Sequence, residues 1–357
     1  MLALAGVPLG MRFVVVDPAP DAQVQGLAEH VCADYADPRA LEALANCDVV
    51  TYEFESVPVA PVRAIAERRP VHPSPNALEV AQDRLLEKSC FRELGIPTAA
   101  FRAVDTQAEL DAALDELGLP AVLKTRRLGY DGKGQALLRT RADAAGAVER
   151  LGSVPLILEG FVSFERELSL IAVRGLRGEI AFYPLVENHH RDGILRRTLA
   201  PAPGLDAATQ AAAERHVKAL LERFDYVGVL ALELFQAGGE LYANEMAPRV
   251  HNSGHFSIEG ARTSQFENHL RAVAGLPLGS TELLGPAAML NCIGSLPHPR
   301  DVLAVPDAHF HDYGKEPRPG RKVGHVTVRA TDAAALSQRL SELDPLIPCT
   351  ADHSDGS

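Results

Sequence analysis

The stretch VGVLALELFQAGGELYANEM, Val227 to Met246, permits few folds. Two apolar runs flank Gly238-Gly239, the local signature of a tight turn between antiparallel strands. Glu233 and Glu245 lie symmetrically about Gly239, so a three-residue turn sets their carboxylates directly opposite on one face. Like charges placed in this way destabilise a sheet unless a cation lies between them. Oxygen-only ligands suit magnesium that is also held by substrate phosphates. A two-residue turn instead sets Glu233 against Asn244, which weakens the metal reading without removing it. The bland alternative is an exposed polar face, and the apolar flanks argue against it.

Upstream, MRFVVVD reads as a buried strand, and the alternation of strand-like and helix-like stretches through CDVVTYEFE suggests a doubly wound parallel sheet. Such sheets open with a strand, a glycine turn and a helix, whose start carries an anion site. The apolar MLALAGVPLG reads as part of that first helix, so the strand and glycine turn before it are expected to be missing. Proline-rich PVHPSPNAL and the helix pattern AQDRLLEKSCFRELG place a domain boundary near Asp83. Short strands follow in PTAAFRAV, PAVLKTRR, QALLRT, PLILEGFV and ELSLIAVR, with helices TQAELDAALDELG and RADAAGAVERLG between them. This mixture suits an α+β nucleotide-grasping domain. A long helix, DAATQAAAERHVKALLERFD, leads into the hairpin, and the tail carries VGHVTVRA as a strand and AAALSQRLSEL as a helix.

Four further constellations carry chemistry. Lys124 ends an apolar strand and is followed by RRLGYDGKGQ, whose glycines let backbone amides approach a polyphosphate. It lacks the Walker pattern, and a plain hairpin turn explains it equally well in isolation. In LILEGFVSFERELSL, an exposed backbone edge beside Phe161 could pair with adenine and Glu167 could hold ribose hydroxyls; a strand end with surface glutamates is the commoner case. Arg249, His251, Asn252 and His255 crowd the segment after the hairpin, as the floor of a site would, without metal-ligand spacing. KEPRPGRKVGH gathers Lys315, Arg318, Arg321 and Lys322, a basic knot suited to a phosphate or to a solvated turn.

The overall charge narrows the partners. A formal net charge of −12 over 357 residues argues against a nucleic-acid or anionic-membrane surface, leaving small anionic ligands in local basic pockets. Five widely spaced cysteines with no C-x-x-C pair point to thiols in a reducing cytoplasm. The apolar start is too short to span a bilayer and lacks a signal peptide's basic flank.

Taken in order, AQDRLLEK, VLKTRRLGYDGKGQ, LEGFV, VENHHRDGILR, NEMAPRVHNSGH and KEPRPGRKVGH closely resemble the ATP-grasp family of 5-(carboxyamino)imidazole ribonucleotide synthases. The resemblance covers nearly the whole chain. It implies an α/β and α+β architecture: an amino-terminal Rossmann-like domain over 1–83 lacking its first strand and glycine turn, an ATP-grasp domain over 84–280 with a lid at about 118–175, and a carboxy-terminal domain over 281–357. The implied activity is ATP- and bicarbonate-dependent carboxylation of aminoimidazole ribonucleotide in purine biosynthesis, in the cytoplasm, by a homodimer.

The same resemblance distributes roles. Arg84, Lys124 and the loop Gly129, Tyr130, Asp131, Gly132, Lys133, Gly134 and Gln135 would contact ATP phosphates. Glu159, Gly160, Phe161 and Val162 would read adenine, Glu167 the ribose, and His190 and Asn244 would complete the nucleotide site. Glu233 and Glu245 would ligate magnesium. Arg249 would lie near bicarbonate, with Tyr130 and Asp131 against the ribonucleotide and Asp131 a candidate to take the amine proton. Tyr52, Glu55, Ser56, Asn252, Lys315, Arg321 and Lys322 would line the ribonucleotide pocket. Family members begin with a strand and a G-x-G-Q-L-G turn, and a misassigned start or a shortened chain explains its absence better than a natural enzyme without it. Two readings compete: a formate-dependent glycinamide ribonucleotide transformylase type of ligase, and a nucleotide-binding remnant without turnover. KEPRPGRKVGH with HNSGH favours the carboxylating branch.

Overall fold

The computed structural model describes residues 1–24, 26–129 and 133–348. Its strands, among the described residues, are β1 (Val14–Asp17), β2 (Glu29–Cys32), β3 (Phe101–Val104), β4 (Ala121–Thr125), β5 (Gln135–Leu138), β6 (Leu156–Gly160), β7 (Arg166–Arg174), β8 (Ile180–Phe182), β9 (Val186–Arg191), β10 (Ile194–Ala200), β11 (Gly228–Ala237), β12 (Glu240–Ala247), β13 (Ala287–Ile293), β14 (Ala308–Asp312) and β15 (Lys322–Arg329). They form three sheets. β1 and β2 pair in parallel, β3-β6-β4-β5 make a four-stranded layer, and the rest join in one large sheet of order β12-β11-β7-β9-β10-β13-β15-β14, with β8 added to β7.

The large sheet explains where a site can form. Along β7, Leu168, Leu170 and Ala172 face one side and pack with Leu230, Leu232 and the Val217, Leu220 and Leu221 stripe of helix Ala207–Arg223. Ile171 and Val173 face the other side and pack with Val229, Ala231, Phe266 and Leu270, the last two from helix Gln265–Val273. Being apolar on both faces, these strands read as continuous hydrophobic runs. Further along the same second face, the residues switch to Ser169 and Glu167 on β7 and to Glu233 on β11, and packing gives way to polar chemistry. At the edge of the sheet, helix Arg84–Glu93 and a parallel bridge from Thr98 to Ala243 cover β12.

Several expectations are corrected. β1 is half-buried rather than buried, and the parallel sheet of the first segment reduces, among the described residues, to β1-β2 and a Val50–Val71 bridge, so most of CDVVTYEFE is not strand. The helix expected from Ala81 begins at Arg84, because Asp83 accepts from the Leu85 amide and caps it. RADAAGAVERLG breaks into Arg141–Ala144 and Ala147–Arg150, since Gly146 adopts φ +66°. The separate layer runs from β3 to β6, earlier than the expected lid range, because β7 belongs to the large sheet. Strands after residue 281 build no sheet of their own: β13 pairs with β10, although Leu290, Val326, Val328 and Leu340 gather a local core beneath them. No helix among the described residues is long and apolar enough to cross a membrane.

Candidate active site

The hairpin turn has two residues, Gly238 and Gly239, both with positive φ, so Ala237 pairs with Glu240. Regular pairing from that turn would set Glu233 against Asn244. A bulge at Asn244 shifts the register by one, and Glu233 faces Glu245 after all. The expected pairing is therefore present, reached by a different turn from the three-residue one. Each carboxylate has its own nitrogen partner: Arg84 Nη1 lies 2.8 Å from Glu245, and His251 Nε2 lies 2.9 Å from Glu233. Despite desolvation in the cleft, the Arg84 charge and hydrogen bond hold the Glu245 carboxyl well below the usual range.

These residues fit a hard cation. Two carboxylates oppose each other across one strand pair, and the Oδ1 of the bulged Asn244 is buried without a partner. No three His, Cys, Asp or Glu side chains converge as a metal-holding group among the described residues. A two-carboxylate set with one amide oxygen instead matches a cation that takes its remaining ligands from phosphate and water.

A second charged cluster joins the four-stranded layer to the large sheet. Lys124 Nζ on β4 lies 3.0 Å from Glu159 Oε2 on β6, and Lys88 Nζ lies 3.4 Å from the same oxygen. Burial would raise the Glu159 pKa, but the two lysines outweigh it and hold the group at about 2. Burial pulls the Lys88 ammonium the other way, lowering its pKa, while the charge of Glu159 opposes that fall. Glu159 is thus shared between the two lysines. Lys88 also donates to Thr98 Oγ1 and to the Ala243 carbonyl, and its neighbour Glu87 accepts from the Met246 amide at 2.7 Å. Sequence reasoning singled out Arg84 and overlooked Glu87 and Lys88. The spacing i, i+3, i+4 already placed all three on one helical face.

Asp83 roots the glycine-rich loop. It binds Arg126 at 3.0 and 2.7 Å and lies 3.3 Å from Arg127, while Arg84 Nη2 donates to the Gly129 carbonyl. At the far end, Thr125 N donates to the Gly134 carbonyl, and Gln135 pairs with Lys124. A side chain at Gly134, which has φ +71°, would meet Thr125 Oγ1 at 2.6 Å, so glycine is required there. Tyr130, Asp131 and Gly132 lie outside the described residues, with Lys133 just beyond them.

The segment expected to read adenine is partly corrected. Glu159 is not on an open edge; it stands in register with Phe101 on one side and Val122 on the other. Gly160 N donates to Ala100 O and Phe161 N to Pro120 O. Val162, just after the strand, makes no backbone hydrogen bond among the described residues, and the neighbouring Phe161 ring is exposed. On the opposite sheet, Glu167 binds His190 Nδ1. Burial would lower the His190 pKa, but the hydrogen bond and charge of Glu167 raise it.

Arg249 bridges the first segment and the floor of the cleft through an ion pair to Glu55 at 2.8 Å. Tyr52 nearby is buried with its hydroxyl unpartnered, and Ser56 is half-buried. Asn252 exchanges hydrogen bonds with Asn291 of β13 at 3.1 and 2.7 Å. In the basic stretch, the Lys315 ammonium sits 5.4 Å from the Tyr313 ring centre. Partial desolvation and then the Arg321 and Lys322 charges lower its pKa, with Glu53 of the first segment opposing them. Arg321 donates to the Glu316 carbonyl, and Lys322 opens β15. Charges thus tie the first segment to Arg249 after the hairpin and to Lys315 in the last segment.

Comparison with known proteins gives this cleft its relatives. Residues 1–82 match a ribonucleotide synthetase preATP-grasp domain, 89–266 an ATP-grasp domain, and 287–339 a phosphoribosylaminoimidazole carboxylase C-terminal domain. The N5-carboxyaminoimidazole ribonucleotide synthase of Pseudomonas aeruginosa is 57% identical over 97% of this chain and 96% of its own length, and that of Brucella melitensis 47% over 92% of each. Among solved structures, the N5-carboxyaminoimidazole ribonucleotide synthetase of Thermus thermophilus superposes with a TM-score of 0.94 at 55% identity, covering 98% of this chain and 96% of that one. The Aspergillus clavatus synthase, solved with ADP and 5-aminoimidazole ribonucleotide, gives 0.87 at 32%, covering 97% and 94%. The chain belongs to the N5-carboxyaminoimidazole ribonucleotide synthase family of ATP-grasp proteins.

Proposed function

We propose that this chain is an ADP-forming ligase that carboxylates 5-aminoimidazole ribonucleotide, with ATP and bicarbonate, to 5-(carboxyamino)imidazole ribonucleotide in purine biosynthesis. The observation that carries the reading is the match of all three segments, over nearly the full length, to synthases of that name. The segments divide at residues 83 and 280. A cytoplasmic homodimer belongs to the same proposal and rests on family resemblance.

In this reading a bicarbonate oxygen attacks the γ-phosphorus of ATP, the bond to the bridging oxygen breaks, and ADP leaves carboxyphosphate behind. Carboxyphosphate then yields carbon dioxide and phosphate. The exocyclic amine adds to the carbon and loses a proton, for which Asp131 is the candidate acceptor and Tyr130 its neighbour. Arg84 and Lys124, with amides of the 129–135 loop, hold and orient the phosphates, since phosphoryl transfer asks for positioning and charge neutralisation. Val162 and Phe161 offer a backbone and a ring face to adenine, beside Glu159 and Gly160, and Glu167 with His190 holds the ribose side. Glu233, Glu245 and Asn244 would hold magnesium, which neutralises charge on the phosphate oxygens when bound. Arg249 orients bicarbonate, and Tyr52, Glu55, Ser56, Asn252, Lys315, Arg321 and Lys322 receive the ribonucleotide. A closed layer over the cleft keeps water from the carboxyphosphate.

The test is ADP release measured with each component left out in turn. Release should require ATP, magnesium and bicarbonate, and rise sharply on adding aminoimidazole ribonucleotide. A rate indifferent to that ribonucleotide, or one that needs formate and glycinamide ribonucleotide instead, overturns the assignment.

A further inference from the structure

The Arg196 side chain makes no hydrogen bond and no ion pair among the described residues, yet its Nε and Nη1 are buried. A guanidinium cannot shed its charge and carries five donors, so one in a half-buried residue with two of its three nitrogens buried and unpartnered suits an anion. Among the described residues no carboxylate is left to pair with it. Glu167 is taken by His190, Glu187 by Arg166 and His189, and Asp344 by Arg197.

Its position is set by a second bulge. In β10 the register slips between Leu195 and Arg197, leaving Arg196 as the extra residue opposite His190. Two residues before Thr198, it projects from the same face, where Thr198 bonds Asn188 and Asn188 bonds Ser169. This is the face of Glu167, Glu233 and Glu245. At the bulge, the Leu195 carbonyl accepts from Asn291, the partner of Asn252. A Cβ added at Gly320 would lie 3.9 Å from the tip of the Ile194 side chain, so the loop holding Lys315 and Arg321 passes near the start of β10. Three strand spacings separate β10 from β11, roughly 14 Å, which sets Arg196 apart from the Glu233 and Glu245 pair and beside the basic loop.

We propose that Arg196 is an anion-binding residue of the cleft, taking an oxyanion on the acceptor side of the reaction: the phosphate monoester of the ribonucleotide, or bicarbonate. The proposal rests on the function argued above and adds to it a residue that neither the motifs nor the ion pairs single out.

The experiment is steady-state kinetics of the full chain carrying Arg196→Gln or Arg196→Lys, varying ATP, bicarbonate and ribonucleotide separately. A tenfold or greater rise in KM for the ribonucleotide, with KM for ATP within twofold and partial recovery in the lysine variant, supports the phosphate. The same pattern for bicarbonate supports that ion. Unchanged KM values, a rise for ATP alone, or an equal loss for all three with a lowered melting temperature overturns the proposal. Should the wild type show no ribonucleotide-dependent turnover, the functional reading fails by itself. Calorimetric titration of wild type and Arg196→Gln with inorganic phosphate and with bicarbonate then decides Arg196: weaker binding in the variant supports it, and equal binding overturns it.

Discussion

Glu87 is 2% exposed and sits beside another carboxylate, Glu245. Burial first, and then the Glu245 charge, push its pKa up to about 8, although the Met246 amide and the cations Lys88 and Arg84 resist. In the unfolded chain the same group titrates near the ordinary value of about 4.3. The folded state therefore binds the extra proton. Its contribution to stability is complete below the unfolded pKa and is lost as pH rises through about 8. Urea unfolding should show wild-type stability falling between about pH 5 and pH 8.5, and Glu87→Gln, which cannot titrate, should flatten that fall. Parallel pH profiles for the two proteins would refute the assignment of the proton to Glu87. Arg84, Lys124 and Glu245 were legible in the sequence because they stand inside motifs. Glu87 and Lys88 gain their environment only when the helix docks on β12, and Arg196 only when β10 bulges.

Asp83 does two jobs at one helix start. Its carboxylate caps helix Arg84–Glu93 through the Leu85 amide and pins Arg126 and Arg127 at the root of the glycine-rich loop. Losing a cap costs about 1 kcal/mol, and stranding a buried ion-pair partner costs about 3–5 kcal/mol where both groups are buried. Arg126 is partly exposed, which reduces the second figure. Asp83→Ala should therefore destabilise by roughly 2–4 kcal/mol, while Asp83→Asn, which keeps a capping oxygen, should cost less. Equal losses in urea melts would show that the cap contributes nothing separate. Elements with strong local signals were readable: the apolar strands, the helix Gln107–Leu117 from its pattern TQAELDAALDELG, and the long helix after Asp206. The hairpin was readable as a pair of strands but not as a two-residue turn with a bulge, because both geometries bring Glu233 and Glu245 together. Pairing of β10 with β13 links residues about ninety positions apart, and no local pattern announces it.

On the scale of the whole molecule, β12 through β14 make one hydrogen-bonded sheet with helices on both faces, while the β3-β6-β4-β5 layer joins it through few groups. Among the described residues these include the Thr98–Ala243 bridge, Lys88 between Glu159 and the Ala243 carbonyl, Arg84 between Gly129 and Glu245, and Asp83 on Arg126 and Arg127. Such a layer can open while the sheet stays folded, because opening breaks few buried contacts. A nucleotide held between the two would bind the closed form alone, so it should stabilise closure by about 2.7 kcal/mol at a hundred times its Kd, close to a hundredfold slowing of exchange. Hydrogen exchange should accordingly find β4 and β5 less protected than β7, β11 and β13 without ligand. Adding magnesium and a non-hydrolysable ATP analogue should raise protection of β4 and β5 and narrow that gap. One common protection free energy for layer and sheet, unchanged in its pattern by the nucleotide, would mean that the layer does not open on its own and that the cleft admits ATP by another route.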